Sequence, residues 1–146
     1  HVVERVPAVL INRDDKQIFM DRKGVLLPVD NEAIVSFPVP VLTIIDEVEP
    51  LDISKEIIAH FFQYLFVEYP FFYDNLSEVR INTGVWIFFS DSNTRIYALH
   101  SDLFNQFNVL KNFEHTVYPK RQIQDYSYID LRIKNQVIVK EKHRSG

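Results

Sequence analysis

The spacing of apolar residues along this chain changes from one period to another and back, and this pattern constrains the fold more than any other feature. Two stretches repeat apolar residues about every 3.6 positions and predict amphipathic helices. The first begins near Asp52 or Ser54 and runs to about Val67, and the second lies between Ser101 and Pro119. The segments around them are strand-like, so the predicted order is strands, helix, strands, helix, strands.

The predicted strands are short, and most follow one another through tight turns that hold glycine or small polar residues. The strand segments are residues 2–11, 17–21, 25–28, 39–43, 77–82, 85–90 and 95–100, with two more within residues 126–142. Short connections favour antiparallel neighbours. The chain is therefore predicted to be an α+β protein with a mainly antiparallel sheet and two principal helices packed on it.

Length and composition predict one domain, or one domain plus a fragment, with a core built from large rings. The 146 residues include 12 Phe and 7 Tyr beside only 3 Gly. The absence of cysteine excludes disulfides, zinc–thiolate sites and thiol nucleophiles. No apolar run approaches the roughly 20 residues of a membrane-spanning helix, and an initial His is no natural start. We therefore expect a soluble piece of a longer protein, with any membrane anchor outside it.

The residue types that carry most enzyme chemistry occur without the required spacing. The five histidines form no metal-binding motif, the serines lack a nucleophile elbow, and three glycines make no phosphate-binding loop. A net charge of −4 argues against a nucleic-acid partner. We expect no enzyme, cofactor or metal site. The alternative is a small-molecule-binding or hydrolytic site assembled from dispersed residues such as Glu68, Tyr69, His100 and Asp102.

The segment Tyr126–Lys142 is the most informative about function. It is interpreted as two strands joined at Lys134-Asn135, because apolar and polar residues alternate on both sides of that pair. A strand so near a chain end is expected at a sheet edge, where free main-chain groups can pair with another polypeptide. Asp130 and Arg132 share one face of the first strand. They are either an exposed ion pair or a fixed polar pair beside that edge.

Charge is distributed unevenly along the sequence. From Lys111 onward there are eight basic and four acidic residues, whereas the first 110 residues hold eight basic and sixteen acidic ones. The distribution is either ordinary scatter or a basic edge that favours an acidic partner.

Several short motifs occur in the order found in the extracytoplasmic β domain of the bacterial cell-division protein FtsQ, also called DivIB, and the chain resembles that family. The motifs are Glu4-Arg5-Val6-Pro7-Ala8, Ile18–Val25, Val39–Thr43, Tyr128-Ile129-Asp130-Leu131-Arg132 and Asn135–Val139. Two positions depart from the family pattern: Leu99-His100-Ser101 stands where a glycine and a basic residue are usual, and Asn135-Gln136 replaces Asn-Gly.

The resemblance implies a non-enzymatic divisome scaffold, held in the bacterial inner membrane by a single N-terminal anchor, with this domain in the periplasm. It implies FtsB/DivIC-like and FtsL-like bitopic partners, with a strand of FtsB added to the last strand of the β domain. Residues 1–20 would be the last strands of a POTRA domain or a linking hairpin, 21–142 the β domain and 143–146 a disordered tail. The implied partner-binding residues are Arg132, Ile133, Asn135, Gln136, Val137, Ile138, Val139 and Lys140, with Ser101 at the start of the second helix.

Overall fold

The structure, a computed structural model, describes residues 5–30, 38–47 and 50–142. Nine strands are present: β1 (Pro7–Arg13), β2 (Lys16–Asp21), β3 (Leu26–Pro28), β4 (Val41–Ile44), β5 (Leu76–Ile81), β6 (Val85–Phe89), β7 (Arg95–Ala98), β8 (Tyr126–Asp130) and β9 (Ile138–Glu141). Three α-helices accompany them: α1 (Lys55–Glu68), α2 (Pro70–Asn75) and α3 (Leu103–Val117). Short 3₁₀ turns occupy His100–Asp102 and Ile123–Asp125. The start of the predicted strand 2–11 and the predicted disordered tail 143–146 lie outside the described residues, as do residues 31–37 and 48–49.

All nine strands form one mixed sheet in the order β3-β2-β1-β4-β5-β6-β7-β8-β9. The α+β class is confirmed. Five neighbouring pairs are antiparallel, but β1–β4, β4–β5 and β7–β8 are parallel. The sequence analysis did not predict the parallel pairs, because it treated the helices only as a layer packed on the sheet. They are also crossovers, since α1 and α2 connect β4 to β5 and α3 connects β7 to β8.

The first turns follow from local chemistry. Asp14 and Asp15 both have positive φ, 55° and 57°, as a two-residue hairpin turn between β1 and β2 requires. In the next turn Gly24 has φ 84°, and the Asp21 carboxylate accepts hydrogen bonds from the Lys23 and Val25 amides at 2.9 Å. The predicted hairpin around residues 22–24 is confirmed.

The first predicted helix is present, and Ser54 is its N-cap, with the Ser54 Oγ accepting a hydrogen bond from the Ile57 amide at 3.2 Å. The predicted end near Val67 agrees with α1, which ends at Glu68, but the helix that follows it was not predicted. Pro70 occupies the first position of α2, where its fixed φ fits a helix and its missing N–H costs nothing. The chain therefore bends at Tyr69 and continues for another short helix.

Helices cover one face of the sheet, and aromatic rings fill the space between. Phe107 of α3 lies at the centre, with edge-on contacts to Phe61 of α1 at 5.2 Å and Phe72 of α2 at 5.0 Å. Phe72 also meets Phe89 of β6 at 5.2 Å, which joins the ring cluster to the sheet. The other face carries mostly half-buried and exposed side chains, with Asp130 as a buried exception. We call this second face the open face.

The strands β1 and β2 pair with each other, and β1 also pairs with β4, so both belong to the same sheet as the rest of the chain. The assignment of residues 1–20 to the end of a preceding domain stays a prediction.

Candidate functional site

The strand β9 lies at one end of the sheet and, within the described part of the chain, pairs with β8 alone. The expected edge position of the last strand is therefore observed. The opposite edge is β3, which has only three residues and ends at Pro28. Because a proline offers no amide donor, β3 is a poor edge for pairing, whereas β9 contains no proline.

The structure divides the predicted partner-binding residues between three places. Ile138, Val139 and Lys140 lie on β9. Arg132, Ile133, Asn135, Gln136 and Val137 lie in the loop 131–137 between β8 and β9, so the expectation of two strands joined directly at Lys134-Asn135 is wrong. The role of these five residues in partner binding stays a prediction. Ser101 lies in the 3₁₀ turn before α3 and is exposed.

The loop 131–137 begins where the Asp130 side chain ends the strand. Its Oδ1 accepts a hydrogen bond from the Arg132 amide at 2.9 Å, which turns the main chain away from the β8 direction. Asn135 then adopts a positive φ of 59°, and the Gln136 amide donates to the Ile133 carbonyl at 3.0 Å. As a result Ile133 is 48% exposed, although the alternation predicted a buried position.

The main-chain groups of β9 point alternately toward β8 and away from it. The Lys142 amide donates to the Asp125 carbonyl at 3.3 Å, and the Lys140 carbonyl accepts from the Ser127 hydroxyl at 3.1 Å. Successive residues of a strand face opposite sides, so Ile138 and Lys140 direct their N–H and C=O groups to β8. Those of Val139 and Glu141 point outward, where another strand would pair.

The side chains of β9 alternate in the same way between the two sheet faces. Val139 is registered with buried Ile129 and packs against the core on the helix-covered face. Ile138 is registered with Asp130 and Lys140 with Tyr128, so both lie on the open face. On the helix-covered side the Glu141 carboxylate accepts a hydrogen bond from Arg121 Nε at 2.9 Å.

Arg132 holds the loop 131–137 against the sheet. Its guanidinium binds Asp130 with two hydrogen bonds, Nε to Oδ1 at 3.0 Å and Nη2 to Oδ2 at 2.8 Å, and lies 4.1 Å from the centre of the Tyr97 ring. Tyr97 is stacked in turn on Trp86 at 4.2 Å. The Arg132 hydrogen bond lowers the pKa of the carboxyl of Asp130, a buried residue. The pair combines features of the two interpretations, because Asp130 is buried beside the edge strand whereas the Arg132 side chain is 42% exposed.

Sequence reasoning noticed the Asp130–Arg132 spacing but not the aromatic side chains under it. Trp86 and Tyr97 belong to other strands, and only the β6–β7 register places them side by side. Their positions on the open face of predicted strands were the available signal.

The residues named for a dispersed catalytic site are not brought together. Tyr69 donates a hydrogen bond to Glu114 near the end of α3, and Glu68 forms an ion pair with Lys111 at 3.8 Å. His100 and Asp102 lie at the other end of α3, about 18 Å away at 1.5 Å per residue. Burial and then the Glu114 hydrogen bond raise the pKa of Tyr69 far above its usual value, so it stays protonated at neutral pH.

Among the residues that the structure describes, no three His, Asp or Glu side chains converge as a metal site would require. Within the same residues no helix has the length and apolar character needed to cross a membrane.

In comparisons with known proteins, no protein-family model matches the chain, and no curated protein matches it significantly.

Proposed function

We propose that this chain is a non-enzymatic protein-binding module that captures an extended segment of a partner as an additional strand beside β9. The observation that carries this proposal is the outward direction of the Val139 and Glu141 main-chain groups at an exposed sheet edge. Main-chain hydrogen bonds would supply the pairing, and alternate side chains would supply selectivity.

The contrast between the two sheet edges supports a use for β9. The other edge, β3, is blocked by its shortness and by Pro28. The loop that leads into β9 is instead held against the sheet by Arg132, which lies over Tyr97, itself stacked on Trp86. A strand held in a fixed position loses less conformational entropy when it pairs, which favours a specific complex.

We infer further that the chain is the β domain of an FtsQ/DivIB-type divisome scaffold, because the resembling motifs occur in family order along the chain. On this proposal the protein is held in the bacterial inner membrane by a single N-terminal anchor, and this domain lies in the periplasm. Its partners are an FtsB/DivIC-like and an FtsL-like bitopic protein. The mixed sheet with its last strand at the edge is compatible with that assignment.

The test is a titration of the domain with the extracytoplasmic segment of the FtsB/DivIC-like protein encoded in the same genome. Val139→Pro removes an outward amide donor and is expected to reduce binding more than tenfold, with little change in thermal stability. Val139→Ala keeps that amide and serves as the matched control, with affinity near that of the wild type. Ile138→Pro removes a donor that faces β8, so it is expected to loosen β9 itself.

Wild-type affinity in the Val139→Pro variant would contradict strand addition at β9. Loss of binding in Val139→Ala as well would mean that the partner uses the Val139 side chain rather than the main chain.

A further inference from the structure

The strand registers place the open-face side chains of β4 to β9 in two rows that run across the sheet. One row reads Val41, Glu78, Phe88, Arg95, Tyr128 and Lys140, and the other reads Thr43, Arg80, Trp86, Tyr97, Asp130 and Ile138. Both rows end at β9. A strand added there would extend each row by one side chain, because registered residues share a face.

Most charges inside the rows have a neighbouring partner, although the exposed Arg95 forms no ion pair within 4.0 Å among the described residues. Glu78 accepts a hydrogen bond from Arg80 at 2.8 Å, and the guanidinium groups of Arg80 and Arg95 lie over the Phe88 ring at 5.4 and 5.6 Å. In the second row Asp130 is bound by Arg132. The interior of the open face therefore offers few charges to a partner.

The last side chain of each row lies on the edge strand β9, where a partner strand would be its direct neighbour. Lys140 is exposed, and among the described residues it forms no ion pair within 4.0 Å, so its row ends in an unmatched positive charge. Ile138 is 44% exposed at the end of the other row. The edge thus presents a cation and an apolar side chain two residues apart on one face.

We propose that the segment that pairs with β9 carries a carboxylate opposite Lys140 and, two residues away, an apolar side chain opposite Ile138. This inference rests on the proposed strand addition and specifies its partner as an acidic extended peptide of another protein. Oppositely charged residues directly across a pair of strands attract, and an apolar pair beside them excludes water.

A second copy of this chain is a poor occupant of the same edge. The open-face positions of a second β9 would again be Ile138 and Lys140, followed by Lys142. When two copies pair antiparallel with their open faces on the same side of the joined sheet, Lys140 therefore meets an apolar or a positively charged side chain at these positions and no carboxylate.

The test uses one strand-forming peptide of Thr and Val with an Ile two residues from a variable position, synthesised with Glu, Gln or Lys at that position. Binding to the wild-type domain is expected to weaken in the order Glu, Gln, Lys, with about 3- to 10-fold between the first and the last. Lys140→Glu is expected to reverse the order. Lys23→Glu makes the same change in net charge at the exposed turn between β2 and β3, and it is expected to keep the wild-type order.

The outcomes distinguish a failure of the acidic-partner inference from a failure of strand addition at β9. Equal affinity for the three peptides, with binding lost in Val139→Pro, would leave strand addition standing and overturn the acidic partner. Failure of all three peptides to bind would overturn this inference, whereas strand addition would still be decided by the Val139→Pro titration with the partner segment. A dimer of the wild-type domain that Val139→Pro dissociates would assign the edge to a second copy and overturn the inference.

Discussion

At the residue scale, two arginines hold main-chain segments in place at opposite parts of the sheet. Arg13, at the end of β1, binds both Asp46 carboxylate oxygens at 2.7 and 2.9 Å and the carbonyls of Leu51 and Ile53 at 2.9 and 2.8 Å. Arg132 holds the loop before β9 in place by binding the Asp130 carboxylate and by lying over the Tyr97 ring. In both cases the planar guanidinium fork matches a carboxylate with two hydrogen bonds, a geometry that lysine does not reproduce.

Acid should destabilise the protein through these two carboxylates. The hydrogen bond from Arg13 lowers the pKa of Asp46, and that from Arg132 lowers the pKa of Asp130, both relative to an ordinary 3.8. A depressed pKa in the folded state contributes stability above the unfolded pKa, and that stability is lost as pH falls through the folded pKa. Urea unfolding at several pH values should therefore show stability declining below the ordinary aspartate pKa.

Asp46→Asn and Asp130→Asn are each expected to lower the free energy of unfolding at neutral pH. Each is also expected to make that free energy fall less steeply as the pH is lowered. A decline that is equally steep in both variants and the wild type would show that other carboxylates cause it.

Gly84 is expected to resist substitution because of the stack on the open face. A Cβ at this position would come within 2.5 Å of the Tyr97 ring, which is held between Trp86 and Arg132. Gly84→Ala should cost about 1–3 kcal/mol of unfolding free energy, as overpacking of a filled site does. Trp86 is the only tryptophan, so its fluorescence reports the change directly. An unchanged emission spectrum with unchanged stability would contradict the packing described.

At the element scale, the segments that follow local rules were predictable and those that depend on distant contacts were not. The α1 helix, the hairpins at residues 13–16 and 21–25, and the β5-β6-β7 meander follow from apolar period and turn residues. The start of β9 was misplaced because the Asp130 hydrogen bond to the Arg132 amide interrupts an alternation that continues in the sequence. The edge position was predictable from nearness to the chain end, whereas the outward direction of Val139 requires the observed register with β8.

The N-cap of α1 provides a test of local helix stability. Ser54→Ala removes the acceptor for the Ile57 amide and is expected to cost about 1 kcal/mol in unfolding free energy. Ser77→Ala, at an exposed position of β5, is the matched control with an expected change of less than about 0.5 kcal/mol. Equal effects of the two substitutions in chemical denaturation would contradict the capping role.

At the scale of the whole molecule, one sheet face is sealed by helices and aromatic rings, and the two edges differ in their capacity to pair. The order β3-β2-β1-β4-β5-β6-β7-β8-β9 could not be derived from the sequence, because the parallel pairs depend on where the crossovers return. Among residues 5–30, 38–47 and 50–142, that order leaves β9 beside β8 alone, with half of the β9 main-chain groups directed outward.

The most direct test of the central claim is residue-resolved amide hydrogen exchange of β9, in the free domain and with the Glu-containing peptide bound. In the free domain the amides of Val139 and Glu141 are expected to exchange faster than those of Ile138 and Lys140, which face β8. Saturation with the peptide should then protect Val139 and Glu141. Bound peptide with no gain of protection at those two amides would contradict strand addition at this edge.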